Sequence, residues 1–161
     1  MKILAIDDEP ANVALLEVIL SEQGYARVES VTDSRAALEA FRTFKPDLVL
    51  LDLMMPHLDG FAILEALRSE SEEIFLPVIV LTADVNEGTK LRALAAGASD
   101  FLLKPFDEVE ALLRIGNLLM MRHLYVQLDT QRAAFEDALQ ARALELREAQ
   151  SALEKFIGVV R

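Results

Sequence analysis

The fold of this chain is constrained above all by short, nearly continuous apolar runs that each end on polar residues. Lys2-Ile3-Leu4-Ala5-Ile6 leads into Asp7 and Asp8, and residues 47–52 end on Asp52. Val78-Ile79-Val80-Leu81 leads from Pro77 to Thr82, and residues 100–103 end at Lys104-Pro105. Such runs are too short for core helices and lack the strict alternation of a strand with one wet face. They predict strands buried on both faces, which occur almost only in parallel sheets covered by helices.

The intervening segments carry helical spacing. Residues 10–22 are opened by Pro10 and closed near Gly24. Asp33 is placed to N-cap a helix from Ser34 to Phe44, ahead of Pro46. Gly60 opens a helix to about Ser69, residues 86–96 form one that Gly97 ends, and another starts near Asp107. With a weaker alternating strand at 26–31, five strands alternate with five helices. The expected class is α/β, a five-stranded parallel sheet doubly wound by right-handed crossovers.

In such sheets the site lies outside the carboxyl ends of the strands. That rule selects Asp7, Asp8, Asp52, Thr82 and Lys104 for one crevice. Two carboxylates about 4 Å apart repel by roughly 4 kcal/mol at an effective dielectric of 20. A cation or a proton relieves this, and all-oxygen, partly exposed ligands suit magnesium. Asp7-Asp8 alone would be read more plainly as a helix cap, and Lys104 alone as charge balance. Pro105 biases the preceding backbone away from helix and is a candidate for a cis bond. The Lys104 ammonium can reach a phosphoryl oxygen as a point charge, Thr82 can donate to another, and Ala83 leaves room beside it. The set suits a carboxylate that accepts a phosphoryl group while a metal neutralises charge.

Composition narrows the alternatives. The chain has no cysteine, which excludes disulfides and thiolate metal sites, and its two histidines are His57 and His123. His57, in the loop after Asp52, is read as an exposed loop residue. The net charge is −11, with 18 acids and 9 bases in residues 1–106 against 9 and 7 in residues 107–161. No basic patch marks a nucleic-acid surface, no apolar run is long enough to span a membrane, and the N-terminus turns acidic too soon for a signal peptide. The expectation is a cytoplasmic protein that binds neither nucleic acid nor membrane.

Taken together and in order, Asp7-Asp8, the run Asp52-Leu53-Met54-Met55-Pro56-His57-Leu58-Asp59-Gly60, Thr82-Ala83 and Lys104-Pro105-Phe106 resemble the receiver domain of two-component response regulators, over residues 1–122. The resemblance implies a flavodoxin-like sheet of order 2-1-3-4-5. It implies that Asp52 accepts phosphate from a sensor histidine kinase or phosphotransfer protein. Asp8 and Asp52 would bind magnesium directly, Asp7 through water, and the Met54 backbone carbonyl would complete the protein ligands. Thr82, Ala83 and Lys104 would meet the phosphoryl group. Phe101 matches a switch aromatic that is often tyrosine, so it lacks the hydroxyl. Met54 and Asp84 occupy places that influence phosphate lifetime. The face of residues 86–96, 100–103 and 107–120 should respond to phosphorylation.

Residues 107–161 contain no proline and only Gly116 and Gly158 as glycines. One heptad position takes Leu118, Tyr125, Arg132, Leu139, Leu146, Leu153 and Val160; the other takes Met121, Leu128, Phe135, Arg142, Ala149 and Phe156. The reading is a long helix, with residues 123–161 as a coiled-coil linker and a homodimer formed through residues 107–161. Arg132 and Arg142 interrupt the seam; a helix folded onto another domain is the alternative. Residues 114–122 and the following helix resemble linkers that precede cyclic-di-nucleotide phosphodiesterase or cyclase domains. Because the chain stops within an apolar periodic pattern, a fragment lacking a C-terminal output domain is expected. Two other functions remain on the page: a phosphoaspartate phosphatase, which usually needs an acid where Met54 stands, and a silent adaptor, which the intact Asp8, Asp52, Thr82 and Lys104 oppose.

Overall fold

The computed structural model describes residues 1–71 and 75–160. Its elements run β1 (Lys2–Ile6), α1 (Pro10–Glu22), β2 (Arg27–Val31), α2 (Ala37–Phe44), β3 (Leu48–Asp52), α3 (Gly60–Glu70), β4 (Val78–Thr82), α4 (Glu87–Ala95), β5 (Asp100–Leu103) and α5 (Glu108–Val160). The strands form one parallel sheet of order β2-β1-β3-β4-β5, the flavodoxin-like order expected from the sequence. Arg161, the last residue of the expected linker, lies outside the described residues.

Local chemistry sets most boundaries. Pro10 occupies the first turn of α1, where a missing N–H costs nothing. Asp59 and Asn86 cap α3 and α4 by accepting the N–H of Phe61 and of Gly88. One boundary differs from the sequence reading. The helix expected over Ser34–Phe44 begins with a 3-10 turn, Ser34–Ala36, before α2. Asp33 takes the Arg35 N–H and also pairs with the Arg35 guanidinium, which ties up the first turn. Ser34 is buried, donates to the Pro56 carbonyl at 2.7 Å and accepts from the Leu58 N–H at 3.1 Å.

Two cores follow from the period of the strands. Leu4, Ile6, Val49, Leu51, Val78 and Val80 face α2, α3 and α4. Ile3, Ala5, Leu48, Leu50, Ile79 and Leu81 face α1 and the first turns of α5. Because both faces are covered, the central strands need no polar alternation.

The chain divides into two compact units, Met1–Leu124 and Tyr125–Arg161. In the first, Ala111, Ile115 and Leu119 are buried in the core, and Leu118 packs partly against it. The heptad place assigned to Leu118 is therefore occupied by intramolecular packing. In the second, every described residue from 131 to 160 is exposed. Among the described residues, no helix is long and apolar enough to cross a membrane.

Gly60 lets α3 begin hard against β3. A Cβ there would lie 2.5 Å from the Asp52 carbonyl oxygen and from Leu53 Cα, whereas at Gly116 it would meet only the Tyr25 hydroxyl at 4.0 Å. In urea denaturation, Gly60→Ala should lose about 2–4 kcal/mol. Gly116→Ala should gain roughly 0.5–1 kcal/mol from helix propensity.

Candidate functional site

Strand register brings the polar ends to a common level. Ile6 pairs with Leu51, Asp52 with Leu81, and Thr82 with Leu103. The residues just past the strands continue this alignment: the Asp7 N–H reaches the Val31 carbonyl, the Leu53 N–H the Leu81 carbonyl, and the Lys104 N–H the Thr82 carbonyl. As a result Asp7, Asp8 and Asp52 each offer a carboxylate oxygen within 4.8 Å of the others. Asp7 is 0% exposed, Asp52 3% and Thr82 1%, while Asp8 is only half-buried.

Lys104 enters this cluster from the end of β5. Its Nζ lies 2.7 Å from Asp7 Oδ2 and 3.3 Å from Asp52 Oδ2. Asp7 also accepts from the Glu9 N–H at 2.9 Å and from the Asn12 amide at 3.2 Å. It thus holds the residue ahead of α1 and a side chain of its first turn, but it caps no backbone N–H of the helix, whose N-cap, Glu9, makes no side-chain cap bond. Asp52 Oδ1 accepts the Met54 N–H at 3.1 Å. The Lys104–Pro105 bond is cis.

Three carboxylates facing one ammonium leave a surplus of negative charge. Burial pushes the Asp52 carboxyl up to about 6; the Met54 N–H and the Lys104 charge pull it back, and the Asp7 charge and a hydrogen bond with Asp8 add to the rise. Hard oxygen donors with surplus charge and a half-exposed member match what a divalent magnesium ion requires.

The remaining candidates ring the cluster. Thr82 Oγ1 accepts the Asp84 N–H at 3.1 Å, and Ala83 beside it is exposed. Both Asp84 oxygens are held locally, one by the Asn86 N–H at 2.9 Å and one by the Thr89 hydroxyl at 2.6 Å. These bonds, the Thr89 hydroxyl first, hold the Asp84 carboxyl below its ordinary value. Phe101 is half-buried against the α2–α3–α4 core, with Lys90 Nζ 4.8 Å from its ring centre. The Met54 side chain is 70% exposed, and His57 is exposed at a positive φ of 72°.

Four contributors were not singled out from the sequence. Asn12 fixes Asp7, Ser34 clamps the loop after β3, Thr89 holds Asp84, and Lys90 covers Phe101. Thr89 and Lys90 are ordinary residues of a helix first turn, and nothing in their spacing announces the contact.

Comparison with known proteins follows the geometry. Residues 3–115 match the family model of the response regulator receiver domain. The chain is 39% identical over 117 residues to the response regulator PleD of Caulobacter vibrioides, covering 73% of this chain and 26% of that protein. It is 43% identical over 118 residues to the probable transcriptional regulator ycf27 of Porphyridium aerugineum, covering 73% and 48%. Among solved structures, the Vibrio cholerae chemotaxis protein CheY4 superposes with a TM-score of 0.68 at 31% identity, covering 73% of this chain and 97% of that one. The chain therefore spans about a quarter to a half of the length of these curated relatives.

The raised Asp52 carboxyl has a sign for stability. Between the ordinary value of 3.8 and about 6, the folded state holds more protons than the unfolded one, so stability falls as pH rises through that window. Asp52→Asn removes this penalty. Without divalent cations it should be more stable than the wild type at pH 7, by up to about 3 kcal/mol, and the gap should close below pH 4. Urea melts across pH test this; a variant less stable at neutral pH would contradict it.

Proposed function

The chain belongs to the response regulator receiver domain family, and on that premise we propose that Asp52 is the residue through which it takes up phosphate. The observation that carries this is the difference between the two most buried acids. Both Asp7 oxygens are engaged by close donors, whereas Asp52 Oδ2 meets Lys104 at the looser distance of 3.3 Å. Of these two, Asp52 is the one with an oxygen available for attack.

Magnesium would be held by Asp8 and Asp52, with Asp7 through water and the Met54 carbonyl as the remaining protein contacts. When bound, it supplies positive charge against the incoming phosphoryl oxygens. Asp52 attacks the phosphorus of a phosphohistidine on a histidine kinase or phosphotransfer protein; the new O–P bond forms as the N–P bond breaks, and the imidazole leaves. Lys104 turns from its carboxylates to the phosphoryl group. The Thr82 hydroxyl donates its proton to a phosphoryl oxygen, and its shift toward that oxygen carries the loop between β4 and α4, which is tied to it through the Asp84 N–H. The gain is the extra affinity of Lys104 and Thr82 for the phosphorylated state, and the equilibrium shifts by that difference. Phe101 follows into the space vacated by Thr82. Met54 offers no acid two places after Asp52, which disfavours a phosphatase.

Residues 125–160 act as a dimerising helix toward an output domain. The apolar seam supports the dimer. The likeness of residues 114–122 to linkers of cyclic-di-nucleotide enzymes supports an output of that class.

With magnesium and a small acyl phosphate, intact-mass measurement should show one added phosphoryl group, lost in Asp52→Asn. Folded wild-type protein that gains no mass would overturn the assignment. Independently, light scattering should show a dimer that is lost on deletion of residues 124–161.

A further inference from the structure

Every described residue from 131 to 160 is exposed, and so is the apolar series Phe135, Leu139, Leu146, Leu153, Phe156 and Val160. These six recur at alternating heptad positions, interrupted at Arg142 and Ala149, with Arg132 one step before the series. We infer that a second copy of this chain covers this face as a parallel, in-register coiled coil, with Arg132 and Arg142 inside the seam and their guanidinium groups turned out to its acidic edges. The inference rests on the dimer proposed above and adds its orientation and register.

The area suits a second copy. Aromatic side chains bury about 150–250 Å² each, so Phe135 and Phe156 from two copies supply on the order of 600 Å². That is half of the roughly 1,200 Å² at which specific interfaces begin, before any leucine is counted.

Two arginines in a seam would repel their own copies if their charges stayed there. They do not. Arg132 Nη2 lies 3.0 Å from Asp129 and its Nε 3.8 Å from Glu136, while Arg142 Nη1 lies 2.9 Å from Glu145. Asp129 directly follows seam residue Leu128 and Glu136 directly follows Phe135, so both flank one edge of the seam. Glu145 precedes seam residue Leu146 and flanks the other edge. Each arginine can leave its aliphatic stem between the helices and its charge in water.

The arginines also select the alignment. In register, they occupy two layers; a slip of one heptad sets each against an apolar residue and spoils four. A polar residue in a seam fixes register in this way. Parallel pairing then faces Gln131 with Glu136 of the second copy, Ala138 with Ala143, Glu145 with Gln150 and Ala152 with Ile157, with no like charges opposed. An antiparallel pair that also confines the arginines to two layers sets Glu136 against its own copy.

The chain has no cysteine, so single cysteines report the geometry directly. In the whole protein, oxidised Leu139→Cys should run as a covalent dimer and Ala141→Cys, on the outer face, as a monomer. By light scattering or sedimentation, Arg132→Leu should tighten the dimer at least about tenfold, and Glu136→Lys should weaken it. A dimer in which Leu139→Cys cross-links no better than Ala141→Cys overturns the parallel register and leaves dimerisation standing. An unchanged dissociation constant in Arg132→Leu removes the arginine from the seam. A wild-type monomer overturns the dimer and this inference together, while the phosphoryl uptake by Asp52 is judged separately by mass.

Discussion

The site in the first unit depends on how one ammonium is shared between Asp7 and Asp52, with the Asp8 carboxylate close by. A parallel sheet in register must end its neighbouring strands at the same level, and here those ends carry Asp7, Asp8, Asp52 and Lys104. Burial makes each unpaired charge costly, and one lysine cannot neutralise three acids. Asp7, fully buried, takes the shorter contact at 2.7 Å; Asp52 is left with 3.3 Å and a raised pKa. The site is held in a state that a bound cation would relieve.

The surroundings of the site are held by a short chain of local contacts. Thr82 is bound to the Asp84 N–H, Asp84 is bound to Thr89, and Lys90 lies over Phe101. Thr82, Asp84, Thr89 and Lys90 lie at the end of β4, in the following loop and in the first turn of α4, and Phe101 lies in the neighbouring β5. The hydroxyl that Phe101 lacks is no obstacle to holding its ring, because a cation over an aromatic face supplies its own attraction, about 0.5–1 kcal/mol at exposed sites.

The second unit obeys a different constraint. Its described residues from 131 to 160 are all exposed, so the helix there draws on helix propensity and on pairs such as Arg132–Asp129 and Arg142–Glu145. Proline is absent and glycine rare there, which suits a long helix.

Sequence alone determined the strands, their parallel packing and the acidic crevice. Buried parallel strands must be apolar throughout, and the first polar residue after each run marks its end; Asp7, Asp52, Thr82 and Lys104 were legible for that reason. Tertiary structure alone decided which acid keeps the lysine, and that Asp84 is held by Thr89 rather than free beside the crevice. It also decided that Ser34 turns inward to clamp the loop after β3, and that Leu118 packs into a core rather than a seam. Most of these outcomes depend on which groups meet across segments distant in the chain, and no local period encodes a contact made between the ends of β1 and β5.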